Sequence, residues 1–234
     1  MRKTTIANPP RHIALIPDGN RRWAKANGKR LLQAYDFGIK RFIDFAGWSK
    51  DLGIRTITVW ALSTENLRNR SALELKVLFA LYTKAANDKN LRKMLNENGI
   101  KLKIVGDIAA LPEKLRTSLL DIENKTAEFS NYTINLLINY GGKEDLVYSA
   151  QEIARSKASK IDEAVVKDHL RTSDIPDVDL IIRTSGEHRL SGLLPWQTAY
   201  SELYFAKKYW PDFKRADLKK AVEDYSQRQR RFGK

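Results

Sequence analysis

Short apolar runs alternate with longer helical patterns along this chain, and this alternation restricts the fold more than any other feature. Strands separated by helices predict an α/β fold, in which helices flank both faces of one mostly parallel central sheet. No internal repeat or linker divides the 234 residues, so we expect a single domain over 1–234. The predicted strands are 12–16, 55–61, 100–105, 133–138, 179–183 and 202–205, and the predicted helices are 33–51, 74–97, 113–128, 143–157, 162–170 and 214–229.

The composition argues against several classes of protein. Because the chain has no cysteine, it has neither disulfides nor a thiolate zinc site. No uncharged apolar run approaches the ~20 residues that span a bilayer. The first ten residues lack the apolar core of a signal peptide, so we predict a cytoplasmic location.

The net charge of +14 is compatible with nucleic acid, an anionic membrane surface or small anionic substrates. Arginines at the ends of predicted strands favour small anionic substrates. Paired lysines such as Lys207-Lys208 and Lys219-Lys220 leave a peripheral membrane contact open. The sequence has no zinc-finger or RNA-recognition signature, so we expect no nucleic-acid partner.

The segment from His12 to Trp23 joins a predicted strand to residues that suit a phosphate site. The strand is followed by an Asp-Gly-Asn turn that contains Asp18, and Arg21 and Arg22 then open a helix. A carboxylate can take a divalent cation, and arginines beside a helix N-terminus can take phosphate oxygens. An ordinary surface turn with solvated charges is the alternative for this segment alone.

A second segment, from Asp179 to Ser191, repeats this design. Its apolar run delivers Arg183 to a Thr-Ser-Gly turn, and Arg189 and Ser191 follow closely. Two arginines and several hydroxyls around a glycine turn suit a second diphosphate, and farther along Glu202 stands as an acid among aromatic residues. Each piece alone is compatible with a charged loop, but two such pieces in one chain favour ligand binding.

The two segments belong to one edge of the predicted sheet. In parallel sheets the ligand lies beyond the carboxyl ends of the strands. Asp18, Ser63, Asn139 and Arg183 each follow an apolar run. We therefore expect all four to face one crevice.

Taken together, the motifs resemble those of the cis-prenyltransferases, the family that includes undecaprenyl diphosphate synthase, in an archaeal-type variant. The resemblance runs from about His12 to Gly233, and several long motifs in the same order make it highly specific. The matching stretches are His12 to Trp23, Ala61 to Asn66, Asn139 to Gly142, Arg183 to Arg189, Trp196 to Phe205, Trp210 to Phe213 and Arg230 to Gly233.

The resemblance implies a transferase that condenses isopentenyl diphosphate with an allylic diphosphate, either farnesyl or geranylgeranyl diphosphate, and forms cis double bonds. The implied product is a medium-chain polyprenyl diphosphate for a glycosyl carrier lipid. Mg²⁺ is the implied cofactor, because departure of a diphosphate requires stabilisation of negative charge. The implied active form is a homodimer.

The resemblance also assigns roles to residues. The expected catalytic residues are Asp18, Asn20 and Asn66, and the expected Mg²⁺ ligands are Asp18 and Glu202, with His188 nearby. The residues expected to bind substrates are Gly19, Arg21, Arg22, Trp23, Arg30, Tyr35, Ser63, Arg70, Arg183, Arg189, Ser191, Arg231 and Gly233.

Two groups of these residues have more specific expected roles. Arg183, Arg189 and Ser191 form the expected isopentenyl diphosphate pocket. Arg231 and Gly233 belong to an Arg-x-Gly sequence that, in the family, reaches the active site of the partner subunit. A disordered basic tail is the alternative for that segment, as a plain loop histidine is for His188.

An apolar tunnel is expected to hold the growing chain. The apolar pattern alone predicts that the candidate residues belong to the core. The resemblance implies that some of them line the wall of the tunnel. These candidates are Leu75, Leu78, Phe79, Tyr82, Leu136 and Ile138.

Three positions depart from the family pattern around the allylic site. Leu31 stands where the family commonly has arginine, Tyr35 where it has histidine, and Leu67 where an aromatic residue usually follows Glu-Asn. A shift of one residue would let Arg30 reach the allylic diphosphate in place of the missing arginine. Alternatively, Arg22 and Mg²⁺ carry that charge, and Tyr35 acts as a neutral donor.

Two other functions exist within the same family. A catalytically silent partner subunit typically loses the Asp-Gly-Asn turn, which this chain keeps together with Arg-x-Gly. We therefore expect a self-sufficient enzyme. A short-chain cis-prenyl diphosphate synthase is the other alternative.

Overall fold

The computed structural model describes residues 6–156 and 158–228. Its strands are β1 (His12–Ile16), β2 (Thr56–Ser63), β3 (Ile100–Val105), β4 (Tyr132–Tyr140), β5 (Leu180–Arg183) and β6 (Glu202–Phe205). Its α-helices are α1 (Asn20–Ala26), α2 (Leu31–Asp51), α3 (Thr64–Asn69), α4 (Ala72–Ala86), α5 (Lys89–Asn98), α6 (Glu113–Thr126), α7 (Gly142–Ser156), α8 (Glu163–Asp168) and α9 (Arg215–Gln227).

The six strands form one sheet in the order β3-β4-β2-β1-β5-β6, and all five pairings are parallel. This confirms the predicted α/β fold. The chain leaves β1 towards β2 on one side and later returns to β5 on the other. Such a reversal of strand order opens a crevice beyond the carboxyl ends of the strands, here between β1 and β5.

Helices and loops cover both faces of the sheet. Successive side chains of a strand point to opposite faces, so Ile13 and Leu15 belong to one buried cluster and Ala14 and Ile16 to the other. The first cluster includes side chains from α2, α4, α6 and α9. Within the described ranges, no helix is both long and apolar enough to cross a membrane.

A buried polar chain links three neighbouring strands at the end of the sheet far from the crevice. The His12 Nε2 lies 2.7 Å from the Thr58 hydroxyl, which also accepts a hydrogen bond from Asn135 Nδ2 at 3.0 Å. The His12 Nδ1 lies 3.0 Å from the carbonyl oxygen of Pro176. Burial lowers the pKa of His12 to about 4, so the imidazole is neutral near pH 7.

The predicted helix over 74–97 is wrong as a single element. It is two helices, α4 and α5, separated at Asn87 and Asp88. The Asp88 carboxylate accepts a hydrogen bond from the Leu91 amide and so caps α5, as aspartate does at helix N-termini. The apolar spacing continues across this break, which is why the pattern alone concealed it. The short helix α3 was not predicted either.

Candidate active site

A cavity of about 950 Å³ opens beyond the carboxyl ends of β1, β2 and β5 and continues between the sheet and α2, α4, α5 and α6. Its mouth is charged and its interior is apolar. Twelve of the residues predicted from sequence line it: Asp18, Gly19, Asn20, Arg21, Arg22, Tyr35, Ser63, Asn66, Arg70, Arg183, Arg189 and Ser191.

The β1–β5 side of the mouth is built around Asp18. Arg183, at the end of β5, donates from Nη2 to Asp18 Oδ2 at 2.9 Å, and Arg22 Nη2 lies 3.3 Å from the same oxygen. Although burial acts to raise the pKa of Asp18, the hydrogen bond and charge of Arg183 and the charge of Arg22 hold it below its ordinary value. Asp18 is therefore an ionised carboxylate at neutral pH.

Arg183 organises the loop that follows β5. Its side chain is only 6% exposed, and its Nη1 donates to the carbonyl oxygen of Arg189 and, at 2.9 Å, to the hydroxyl of Ser191. The two segments singled out in the sequence thus meet through one guanidinium group. The loop holds Ser185 and Ser191 at φ angles of 78° and 56°, a left-handed conformation that non-glycine residues seldom adopt.

Gly19 is required where the turn approaches this loop. Its φ of 103° is left-handed, and a Cβ there would lie 2.7 Å from the Tyr209 ring and 3.0 Å from the Ser185 Cβ. The backbone of Asp18 is fixed as well, because its carbonyl oxygen accepts hydrogen bonds from the Thr184 hydroxyl and the Trp210 amide. The acid therefore sits on a rigid turn.

Glu187 is a site residue that sequence reasoning missed. It lines the cavity, accepts a 2.7 Å hydrogen bond from Arg22 and forms an ion pair with Arg189. Hydrogen bonds from Arg189 and Arg22 lower its pKa. The signal was available, since Glu187 lies between the two predicted arginines of the second segment. Glu187 therefore contacts one arginine from each expected diphosphate site, Arg22 from the allylic site and Arg189 from the isopentenyl diphosphate site.

The α2–α4 side of the mouth contains a different arrangement. The Tyr35 hydroxyl donates to Glu74 Oε1 at 2.6 Å and accepts from Arg70 Nη1 at 3.1 Å. Arg21 Nη1 approaches Glu74 Oε2 at 3.9 Å. Glu74, a buried acid on α4, was also missed, because one glutamate in a helical pattern looks like a solvated residue.

Ser63 and Asn66 reach the cavity from the end of β2 and from α3. The Ser63 hydroxyl accepts a hydrogen bond from the Asn66 amide and caps α3. Asn20 donates to the Pro17 carbonyl oxygen, while its own Oδ1 is buried and makes no hydrogen bond. An unpartnered buried oxygen beside a cavity is suited to a ligand that supplies the missing partner.

Five predicted residues among those that the structure describes do not line this cavity: Trp23, Arg30, Asn139, His188 and Glu202. Trp23 packs in a small cluster and donates from Nε1 to Asp212. Arg30 is exposed at the N-cap of α2 and does not line the cavity.

The expectation that Asn139 faces the same crevice is wrong. Its φ of 49° and its hydrogen bond to the Asp107 carbonyl oxygen direct it to a second cavity, of about 630 Å³. His188 is exposed and stacks on Phe205.

Glu202 does not meet Asp18 within this chain. It begins β6 in register with Leu180 and Ile13, whereas Asp18 follows the opposite end of β1. Its carboxylate instead accepts a 2.7 Å hydrogen bond from Arg228. Arg231 and Gly233 lie outside the described residues.

The interior of the cavity is lined by leucine and isoleucine side chains from α4, α5, α6 and the sheet. Leu78, Tyr82 and Leu136 line it as expected of tunnel candidates. Leu75 and Phe79 pack against the core, and Ile138 is buried within it. Leu31 and Leu67, two of the departures from the family pattern, also pack against that core.

The chemistry of Asp18 fits a magnesium ion. Mg²⁺ is usually held by one or two carboxylates together with substrate phosphates and water. Asp18 is an ionised carboxylate at the cavity mouth, with arginines beside it to take phosphate oxygens. No group of three or more acids or histidines suited to a metal occurs in the described part of the chain. A site that relies on substrate phosphates needs no such group.

Comparison with known proteins gives the same family over most of the chain. The family described as "Putative undecaprenyl diphosphate synthase" matches residues 16–233. A tritrans,polycis-undecaprenyl-diphosphate synthase (geranylgeranyl-diphosphate specific) from Thermoplasma volcanium is 40% identical over 96% of this chain and 89% of the relative. An isoprenyl transferase from Thermotoga maritima is 39% identical over 96% of this chain and 97% of the relative.

Solved structures are similar as well. Lavandulyl diphosphate synthase from Lavandula x intermedia, in complex with dimethylallyl diphosphate, has a TM-score of 0.91 and 33% identity, covering 97% of this chain and 99% of the other. A probable undecaprenyl diphosphate synthase from Campylobacter jejuni has a TM-score of 0.81 and 26% identity, with coverages of 97% and 100%.

Proposed function

Because the chain belongs to the undecaprenyl diphosphate synthase family of prenyltransferases, we propose that it adds isopentenyl diphosphate units to an allylic diphosphate with cis geometry. The product is a medium-chain polyprenyl diphosphate for a glycosyl carrier lipid. The names of the archaeal relatives favour geranylgeranyl diphosphate as the primer over farnesyl diphosphate.

The observation that carries this proposal is the shape of the main cavity. One continuous space joins a mouth of arginines around Asp18 to an apolar interior. An allylic diphosphate has the same two parts, a head with several negative charges and a hydrocarbon tail. A cavity of about 950 Å³ lies near the upper end of the ~300–1,000 Å³ typical of ligand pockets. This supports a long tail more than the five carbons of dimethylallyl diphosphate.

Charges at the mouth perform most of the proposed chemistry. Arg22 and Arg70 hold the allylic diphosphate, and Arg183, Arg189 and Ser191 hold isopentenyl diphosphate beside it. Preorganised donors that already point at the developing negative charge lower the barrier to departure of the allylic diphosphate. The rigid turn at Asp18 and the buried Arg183 are preorganised in this sense.

Asp18 is the residue that would hold Mg²⁺. When bound, that ion supplies charge neutralisation for the departing diphosphate. The side chain of Asn20, with its unpartnered Oδ1, orients a reacting group next to it. The metal role of Glu202 stays a prediction that requires a partner subunit, since Arg228 holds Glu202 within its own chain.

The proposed active form is a homodimer in which Arg231 acts in the neighbouring site. Mixed dimers test this idea: Asp18→Ala and Arg231→Ala chains, unfolded and reassembled together, would create some sites with both groups intact. Recovered activity supports sharing between subunits, and none in verified mixed dimers rules it out. The basic charge of the chain and an amphiphilic product also favour a peripheral contact with an anionic membrane.

The activity is tested with radiolabelled isopentenyl diphosphate, Mg²⁺ and a panel of dimethylallyl, farnesyl and geranylgeranyl primers. We expect elongation from geranylgeranyl diphosphate into products of several added units. A single condensation from dimethylallyl diphosphate would instead indicate a short-chain synthase. Absence of transfer from every primer would overturn the proposed function.

A further inference from the structure

The cluster of Tyr35, Arg70 and Glu74 at the cavity mouth has a fixed direction of hydrogen bonding. A carboxylate only accepts, so the 2.6 Å contact is a donation from the Tyr35 hydroxyl to Glu74. A guanidinium only donates, so the 3.1 Å contact is a donation from Arg70 to the Tyr35 oxygen. The one phenolic proton is thereby committed to Glu74. Tyr35 has no proton left to give a diphosphate.

Burial makes this cluster rigid and costly to disturb. The side chains of Arg70 and Glu74 are 15% and 10% exposed. Burial also raises the pKa of Tyr35, so its hydroxyl stays protonated. The Ser71 hydroxyl caps α4 and accepts from the Glu74 amide, which fixes the position of the carboxylate on its helix. Hydrogen bonds between buried polar groups favour one arrangement of the side chains.

Arg70 keeps donors that the cluster does not use. Its Nε is buried without a hydrogen-bond partner and lies 3.4 Å from Glu74 Oε1, an ion-pair distance without hydrogen-bond geometry. Its guanidinium stands over the Tyr35 ring at 5.7 Å and lines the cavity. A planar guanidinium held in this way can present its remaining N–H groups to a diphosphate as a fork.

Neighbouring positions supply no substitute for Arg70. Leu31 packs against the core, and Arg30 is exposed outside the cavity lining. Arg22 is already bonded to Glu187 and Ser185 on the β1–β5 side. On the α2–α4 side of the mouth the buried cation is therefore Arg70, and the more exposed Arg21 lies next to it.

We propose that Tyr35 and Glu74 are positioning residues that hold the Arg70 guanidinium in place for the diphosphate of the allylic primer. By orienting Arg70, Tyr35 thus compensates indirectly for the family arginine that is Leu31 in this chain. This inference rests on the proposed function, because it presupposes a primer that carries a diphosphate. It makes neither Tyr35 nor Glu74 a proton donor to the substrate.

The test is a double-mutant cycle on primer affinity. We would measure the Kd of an unreactive thiolo analogue of geranylgeranyl diphosphate by calorimetry with Mg²⁺, and the KM values of both substrates. Tyr35→Phe, which keeps the ring, should weaken primer affinity about tenfold, the scale of one charge-assisted hydrogen bond, with the KM for isopentenyl diphosphate changed less than about twofold. Glu74→Gln should act in the same direction.

The decisive comparison is the same substitution without Arg70. In an Arg70→Ala background, Tyr35→Phe should change primer affinity less than about twofold, because residues that act through one group are not additive. Tyr132→Phe on β4 and Glu97→Gln on α5 are matched controls outside the cavity lining.

Several outcomes would overturn the proposal. They are an undiminished effect of Tyr35→Phe in the Arg70→Ala background, no effect in the wild-type background, or an equal rise in both KM values. Thermal unfolding of each variant separates these from loss of the fold. Because calorimetry needs no turnover, normal analogue binding by a wild-type chain that transfers nothing would count against the proposed function and leave the cycle interpretable.

Discussion

The two sides of the cavity mouth achieve a similar concentration of charge by different means. On the β1–β5 side, Arg183 and Arg22 contact Asp18 directly, and loops hold the ion pairs. On the α2–α4 side, two helices hold one arginine through a neutral tyrosine and a buried acid. A functional motif that is contiguous in a loop can therefore be recognised in the sequence, whereas the residues of a site shared between helices are dispersed among ordinary helical residues.

The largest expected effect comes from Asp18. Asp18→Ala should lower kcat by ~10²–10³ or more, as expected when a preorganised charge-stabilising group is lost. The fold should survive, because the buried Arg183 keeps its hydrogen bonds to the Arg189 carbonyl oxygen and the Ser191 hydroxyl. Steady-state kinetics in Mg²⁺ with a thermal unfolding control measure both. Near-normal turnover of Asp18→Ala would contradict the proposed role of Asp18 in the reaction.

Arg183 should give the next largest effect. Arg183→Ala removes a charged contact worth roughly 1.5–3 kcal/mol, so the KM for isopentenyl diphosphate should rise about 10- to 100-fold. The hydrogen bond from Arg183 also holds the pKa of Asp18 down. Its loss lets that pKa rise, so Asp18 becomes protonated at a higher pH than in the wild type. The acid limb of the pH–rate profile should therefore move upward, and an unmoved limb would contradict the pairing.

Loss of stability in acid has to be distinguished from this shift of the pH–rate profile. The pKa of His12 defines the pH range in which we expect that loss. Its pKa of about 4 lies below the ordinary 6.5, so between these values the unfolded chain binds a proton that the folded chain does not. Stability is therefore complete above about pH 6.5 and falls as the pH drops to about 4, by up to ~3 kcal/mol. Urea unfolding at pH 7 and 4.5 measures the loss. His12→Gln should flatten this dependence, and an unchanged slope would exclude His12 as its cause.

The smallest expected effect concerns Arg30, which the sequence offered as a replacement for the family arginine that is Leu31 in this chain. An exposed residue at a helix N-cap that does not line the cavity should contribute within ~0.5 kcal/mol. Arg30→Ala and Lys29→Ala should then change the primer KM equally and little. A tenfold effect confined to Arg30→Ala would show that the loop before α2 does reach the diphosphate.

The sequence predicted the sheet and most of the β1–β5 side because both depend on local patterns. Apolar runs identified all six strands, and Arg183 and Asp18 each stood next to a turn. Asn139 looked equivalent, yet its left-handed backbone turns it to another cavity, which no hydropathy pattern encodes. Glu74 was invisible for a different reason, since its partner Tyr35 is 39 residues away. Contacts between helices depend on packing that a single sequence does not state.

The division of the mouth into two diphosphate sites is tested most directly by comparing Arg70→Ala with Arg189→Ala. Each removes one arginine from the lining, one from each side. We expect Arg70→Ala to raise the primer KM about tenfold or more with little change for isopentenyl diphosphate, and Arg189→Ala to do the reverse. If both variants raise the same KM, Arg70 and Arg189 do not bind different diphosphates and their assignment to two sites is wrong.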